Sequence, residues 1–182
     1  MIILVGESAS GKSTIEKILT EKYGYKKTVS YTTRPPRKGE IDGVDYHFIS
    51  KDEYINKLNA GFFAETGNYN GWFYGTTKDQ YCKNGICVLT PHGLRQVKKH
   101  FGNDTQLKIK SFYIKVSRRD RLIKILQRGD EINEAIRRNQ SDVGQYDGIE
   151  DEVDYVIENS EYIMSPFDVA FTINELYKGR ED

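Results

Sequence analysis

Residues 1–5, Met-Ile-Ile-Leu-Val, are uninterruptedly apolar and stop at Gly6, the pattern of a short strand buried on both faces of a parallel sheet. A turn follows, and from Lys12 to Lys22 the residues Ile15, Ile18 and Leu19 fall at helical spacing, ending at Tyr23-Gly24, where glycine takes the left-handed terminal position. From residue 31 to about 80 the pattern changes. Basic residues, prolines, glycines and aromatics interleave, and only residues 51–60 predict a helix, behind Ser50 with Glu53 three positions on. This stretch reads as an inserted lobe of short strands. The core pattern resumes with a strand at 85–90, a helix from about 91 to 100 and an alternating strand around 107–116, which makes two further βα repeats. Two charged helices come next, roughly 118–128 and, past Gly129, about 131–145; charge on both faces suits a mobile flap better than a core element. Residues 154–158 predict the last strand. Ser165-Pro166-Phe167-Asp168 starts a closing helix, expected to bury Val169, Phe171, Ile173 and Leu176.

The chain has 182 residues, enough for one domain with a small appendage. Thirteen tyrosines, eight phenylalanines and a net charge of zero exclude disorder as the main state. Lys plus Arg (27) cancels Asp plus Glu (27), so no global field draws the protein to nucleic acid or an anionic membrane, and anion recognition has to be local. No basic, long apolar leader precedes Gly6 and no apolar run is long enough to span a bilayer, which predicts a cytoplasmic protein. Cys82 and Cys87 are too few for a disulfide framework and lack zinc-site spacing; two reduced thiols are expected, Cys87 buried in a strand.

The chemistry begins at Gly6-Glu7-Ser8-Ala9-Ser10-Gly11-Lys12-Ser13, which fits the phosphate-loop pattern G-x-x-x-x-G-K-[ST] without a mismatch, between a strand and a helix. The glycines let the backbone curl so that N–H groups point at phosphates, and the helix N-terminus adds its positive dipole end. Lys12 neutralises β/γ oxygens and the Ser13 hydroxyl can ligate Mg²⁺. Such a loop fixes a nucleoside triphosphate and leaves the acceptor open. Further on, Ser30-Tyr31-Thr32-Thr33-Arg34-Pro35-Pro36-Arg37-Lys38-Gly39-Glu40 sets two guanidinium groups three residues apart in a proline-stiffened segment, with Tyr46 nine residues beyond Arg37. Arg34 and Arg37 can grip one phosphate bidentately, with Tyr46 adding a hydrogen bond.

At this point the sequence resembles the guanylate kinase family. The signature Ser-x-Thr-Thr-Arg-x-Pro-Arg-x-Gly-Glu-x-x-Gly-x-x-Tyr-x-Phe is present, and the order of phosphate loop, signature, Gly-x-Tyr/Phe-Tyr-Gly-Thr and arginine-bearing lid runs across nearly the whole chain. The resemblance implies a P-loop three-layer α/β/α fold with a parallel sheet core (about 1–30, 81–117 and 146–182), an inserted mixed β-rich GMP-binding lobe (about 31–80) and a helical lid (about 118–145). It implies transfer of the γ-phosphoryl group of ATP to GMP or dGMP with Mg²⁺ as cofactor, by a monomer or homodimer. Residues 6–14, from Gly6 to Ser13 and Thr14, would bind ATP, with Ser13 on the metal. Arg34, Arg37, Tyr46 and Tyr74 would hold the GMP phosphate, while Ser30, Glu65 and Thr76 would read the guanine, whose N1–H and 2-amino donors suit a carboxylate.

The lid departs slightly from the family pattern. Lys124 and Arg128 stand where the resemblance implies two arginines, and Arg138, with Arg137 as the alternative, where it implies the next. These cations, with Lys12, Arg34 and Arg37, would stabilise the transferring phosphoryl group. Asn159 matches the region near the adenine. A larger departure follows the third core strand, where the family's Asp-x-Asp is replaced by Thr90-Pro91-His92-Gly93. That departure keeps open a related P-loop kinase with another nucleotide or small-molecule acceptor; the third reading is a catalytically inactive, kinase-shaped module that binds phosphorylated ligands.

Overall fold

The computed structural model describes residues 1–179 except Lys38, Asn70, Asn103, Thr105 and Asp130, so Lys38 of the basic segment lies outside the described residues. At the centre is a five-stranded parallel sheet in the order β2-β7-β1-β8-β9, built from β1 (Ile2–Val5), β2 (Lys26–Lys27), β7 (Gly85–Leu89), β8 (Lys110–Lys115) and β9 (Tyr155–Glu158). Side chains of a strand alternate between faces, so Ile2 and Leu4 enter one apolar layer with helices α1 (Lys12–Tyr23) and α6 (Pro166–Lys178). Ile3 and Val5 enter the other with α3 (Pro91–Phe101) and the segment carrying Tyr146 and Ile149. The all-apolar run at the N-terminus is therefore the central strand of a three-layer α/β/α core.

One expectation about this core needs correction, the burial of Phe171 in the closing helix. The alternating strand expected around 107–116 forms as β8, which lies between β1 and β9 with Ser111, Phe112, Tyr113 and Ile114 all buried. Ser111 tolerates burial because its N–H and hydroxyl both donate to Asp154 Oδ2, at 2.7 and 2.6 Å. In α6, Phe171 is 55% exposed, because at 100° per residue it lies nearly opposite Val169 and Ile173. The buried stripe runs through Val169, Ala170, Ile173 and Asn174, the last accepting a hydrogen bond from Tyr25 at 3.1 Å. The start of α6 follows expectation, with a reciprocal capping box between Ser165 and Asp168.

The stretch after β2 forms a second, mixed sheet in the order β4-β3-β6-β5, from β3 (Tyr31–Thr32), β4 (His47–Phe48), β5 (Phe63–Tyr69) and β6 (Trp72–Thr77), with α2 (Lys51–Asn59) between β4 and β5. The hydroxyl at Ser50 caps α2 by accepting from Glu53 N–H. Between β5 and β6 the pairing slips after Phe63, so that Phe63 opposes Thr77 and Glu65 opposes Thr76; a bulge of this kind re-aims a side chain. Gly75 keeps the two strands together, since a Cβ there would come within 2.8 Å of the Phe63 ring.

Beyond β8, α4 (Arg118–Gln127) and α5 (Ile132–Ser141) form a helical pair. The second is shorter than expected: Asp142 caps it, and residues 142–148 turn back to the core through left-handed Gly144 and Gly148. Among the described residues no helix is long and apolar enough to cross a membrane, and Cys82 and Cys87 are free thiols, the second buried.

The packing separates two substitutions that sequence alone would treat alike. Ile114→Ala in the central layer is expected to destabilise the protein by about 2–5 kcal/mol, and Phe171→Ser on the exposed face of α6 to change stability by no more than about 0.5 kcal/mol. Urea unfolding of the two variants against the parent checks both values.

Candidate active site

The loop between β1 and α1 is closed by contacts only a glycine permits at its first position. A Cβ on Gly6 would lie 2.9 Å from the Ile114 carbonyl and 2.7 Å from Ser10 Oγ, so the chain turns off β1 directly over β8. Inside the turn Lys12 Nζ donates to the Glu7 carbonyl at 2.7 Å and to Ser10 Oγ at 3.3 Å. Burial lowers the Lys12 ammonium to a pKa of about 8, while Asp142 and then Glu7 oppose that shift and Arg121 adds to it. Ala9 adopts a left-handed conformation, φ 65°, and its carbonyl is held by the Tyr162 hydroxyl at 2.8 Å. Among the described residues no group accepts from the N–H of Ala9, Gly11, Lys12 or Ser13. Orphan donors at a helix N-terminus, with a lysine beside them, are features that attract an anion. Ser13 and Thr14 are exposed at its rim.

Across from the loop, the second sheet gathers guanidinium groups and phenols. Arg34 is buried against the rings of Tyr46 and Phe48, 5.4 and 5.8 Å from their centroids. It forks onto Glu40, Nη1 to Oε2 at 2.9 Å and Nη2 to Oε1 at 2.8 Å. Glu40 also accepts from the Arg37 N–H at 2.6 Å; burial would raise this carboxyl, but the Arg34 and Arg37 contacts hold it below its ordinary value. The Arg37 guanidinium is pushed down first by burial and then by Arg138 and Arg34, so three cations crowd one place. Tyr46 and Tyr74 meet edge to face, 6.1 Å between centroids, and burial lifts the Tyr46 phenol to about 12.

Tyr74 and Thr76 share one face of β6, two residues apart. Thr76 Oγ1 donates to Glu65 Oε1 at 2.6 Å and lies 2.8 Å from Ser30 Oγ, giving a chain of Ser30, Thr76 and Glu65 beside the guanidinium cluster. Glu65 is buried, which raises its pKa, with the Thr76 hydroxyl opposing. Gln96 of α3 braces the same strand, pairing with the N–H and C=O of Thr66 at 3.1 and 2.6 Å.

The flanking helices supply further cations. Arg138 donates from Nε to Glu134 Oε1 at 2.7 Å, with only 14% of its side chain exposed, while the more open Arg137 forks onto the same carboxylate with two 2.7 Å bonds. Arg128 caps the end of α4, and Lys124 lies over the Tyr162 ring at 5.3 Å. Asn159 is buried and spends both ends of its amide on the Met164 backbone, fixing the loop after β9. After β7, the Thr90 hydroxyl caps α3 by accepting from Gly93 N–H at 3.2 Å, and His92 is exposed.

Three residues that sequence reasoning passed over lie at the same cleft. Arg121 and Asp142 form a buried ion pair at 3.2 Å, Arg121 also reaches Glu7 at 3.3 Å, and the Tyr69 hydroxyl donates to Asp142 at 2.8 Å. Part of α4 is thus a core element rather than a solvated flap. The available signal was periodicity: Arg121 sits four residues before buried Ile125, and Asp142 follows buried Ala135 and Asn139 at spacings of four and three.

Comparison with known proteins agrees with this geometry. The model of the family described as guanylate kinase matches residues 1–169. A guanylate kinase of Symbiobacterium thermophilum is 34% identical over 170 residues, covering 88% of this chain and 78% of the relative. One of Paraburkholderia xenovorans is 31% identical over 169 residues, covering 89% and 73%. Among solved structures, a guanylate kinase from Anaplasma phagocytophilum superposes with a TM-score of 0.69 at 24% identity, over 97% of this chain and 84% of the other. The YorR protein of Bacillus subtilis, solved in complex with phosphorylated GDP, does so with a TM-score of 0.51 at 16% identity, over 98% and 96%. At those identities the two structures show the fold alone. The sequence matches, which span the phosphate loop, the second sheet and the charged helices together, carry the assignment: this chain belongs to the guanylate kinase family.

Proposed function

We propose that the protein is a guanylate kinase that transfers the γ-phosphoryl group of ATP to GMP or dGMP, yielding ADP and GDP or dGDP. The observation that carries this reading is the Ser30–Thr76–Glu65 chain, buried at Thr76 and Glu65, next to Arg34, Arg37, Tyr46 and Tyr74, on the sheet whose Tyr69 touches Ser8 of the phosphate loop. A carboxylate accepts from both N1–H and the 2-amino group of guanine, which adenine does not present together. In this reading residues 31–80 are the GMP lobe, 118–145 the lid, and 1–30, 81–117 and 146–182 the core.

The division of labour follows from donor counts. Arg34 has five N–H groups and gives three of them to Glu40 and the Pro35 carbonyl; the Nε–H and one Nη2–H remain for a phosphate, in an orientation Glu40 has already set. Arg37 and Arg138, like charges close together, gain most when a phosphate comes between them. A GMP phosphate oxygen is already an anionic nucleophile, so the protein's work is alignment and charge stabilisation rather than covalent catalysis. Closure of the lobe and lid excludes water that would hydrolyse ATP.

The residues present also fit Mg²⁺. The described residues hold no group of three or more His, Cys, Asp or Glu able to bind a metal, and the Ser13 hydroxyl is exposed and unengaged at the head of α1. That donor set suits an ion carried mainly by phosphate oxygens and water, with Ser13 as its protein ligand. When bound, the ion neutralises charge on the β- and γ-phosphates.

Following ADP release with GMP, dGMP, AMP, UMP, CMP and dTMP tests the reading, with Lys12→Ala as the blank. Turnover on GMP and dGMP alone is expected. Turnover on another acceptor would replace it with a related kinase, and phosphate-dependent binding without turnover with a binding module. Glu65→Gln is expected to lower kcat/KM for GMP by about 10- to 100-fold and to leave KM for ATP unchanged.

Lys12 gives a pH signature. In the free loop its pKa is about 8, so the charged form is lost as pH rises through that value, whereas a bound triphosphate favours the ammonium. Binding of ATP at pH 8.5 should therefore take up protons and weaken as pH rises further. Calorimetry in buffers of different ionisation enthalpy reads the uptake, which should vanish in Lys12→Met.

A further inference from the structure

The ionic set around Asp142 lies against the back of the phosphate loop and joins it to strand β5 and to the two charged helices. Asp142 Oδ2 accepts the Ser8 N–H of the phosphate loop at 2.9 Å and Arg121 Nη1 at 3.2 Å, and Oδ1 accepts the Tyr69 hydroxyl at 2.8 Å. The same Tyr69 hydroxyl lies 2.9 Å from Ser8 Oγ. Arg121 also donates to Glu7 Oε1 at 3.3 Å and to the Val116 carbonyl at 3.1 Å, and Glu7 Oε2 accepts from Tyr113 at 3.1 Å. The side chains of Asp142 and Arg121 are 2% and 6% exposed. The end of α5, the middle of α4, strand β5 and the phosphate loop thus meet at one carboxylate.

Three of the four segments come from parts of the fold that are expected to move on closure. The junction borders a cleft of about 470 Å³ lined by Glu7, Tyr113, Arg121, Asn139 and Asp142 among others, and the Asn139 side-chain nitrogen is buried without a partner among the described residues. Removing the Asp142 carboxylate would take away the contacts of this segment to the Ser8 N–H, Tyr69 and Arg121.

Building on the kinase reading above, we propose that Asp142, oriented by Arg121, is a positioning residue that ties the lid and strand β5 to Ser8 and so presets the closed, phosphate-ready loop. A loop held in its binding conformation pays no conformational penalty when the triphosphate arrives, and apparent affinity scales with the fraction of molecules so held. Loss of the tie should therefore appear in ATP binding and in KM, while a saturated, closed complex reacts at nearly the parental rate.

The test uses Asp142→Ala and Asp142→Asn, with Tyr69→Phe as a milder variant that removes one hydroxyl. Three quantities are measured: amide hydrogen exchange over residues 118–145 without nucleotide, the Kd for ATP by direct titration, and kcat with KM. We expect lid exchange to quicken at least tenfold in Asp142→Ala, Kd and KM for ATP to rise about 10- to 100-fold, and kcat to stay within about threefold. Asp142→Asn should recover part of the affinity and Tyr69→Phe should lose a smaller part. Unchanged exchange and affinity would overturn the proposal, as would a fall in kcat at constant KM or a loss of thermal stability with normal ATP binding. Exchange and direct titration need no acceptor, so absence of turnover on GMP would defeat the kinase reading and leave this inference separately judged.

Discussion

Cations held close together repel one another, and that mutual repulsion is the constraint that organises this cleft. At the separations found in a partly buried site such repulsion amounts to several kcal/mol. The structure offsets it with carboxylates placed behind the cations. Glu40 holds Arg34, Glu134 holds Arg137 and Arg138, and Glu7 with Asp142 brackets Arg121 and acts on Lys12. Glu134 shows the strength of the arrangement, its carboxyl drawn down to about 2, first by Arg137, against the opposing effect of burial, and then by Arg138. Each acid takes some of the donors of its cation, so the guanidinium planes are fixed before a ligand supplies any charge.

The proposed guanine-reading chain has a different basis, since a lone buried carboxylate is expensive unless hydrogen-bonded. Backbone geometry delivers its partner. The slip in pairing after Phe63 turns Glu65 opposite Thr76, and the absence of a side chain at Gly75 lets the strands close on the Phe63 ring. Gln96 then ties Thr66, next to Glu65, to the helix that follows β7. Where the family resemblance led to an acidic pair, the chain uses Thr90 as a helix cap, so this end of the sheet braces strand β5 through α3.

Legibility in the sequence followed the range of the interaction. The phosphate loop, the Ser50 and Ser165 caps and the apolar run of β1 were readable because the groups involved lie within eight residues of one another. The second sheet was legible only as a change of composition. The Ser30–Thr76 contact spans 46 residues; the family resemblance grouped the two residues at one site, and neither it nor their spacing gave the contact.

The amino-acid order by itself determined the phosphate-loop pattern, the Ser50 and Ser165 helix caps and the spacing of Arg34 and Arg37, all products of local backbone geometry and side-chain type. Only the tertiary structure decided that Ser111 is buried and Phe171 is not, and that Asp142 reaches Ser8 across 134 positions and Tyr69 across 73. A charged residue in a polar helix carries no local mark of its partner. Whether it is solvated or buried depends on which distant segment folds against it, and that is settled by the packing of layers as a whole.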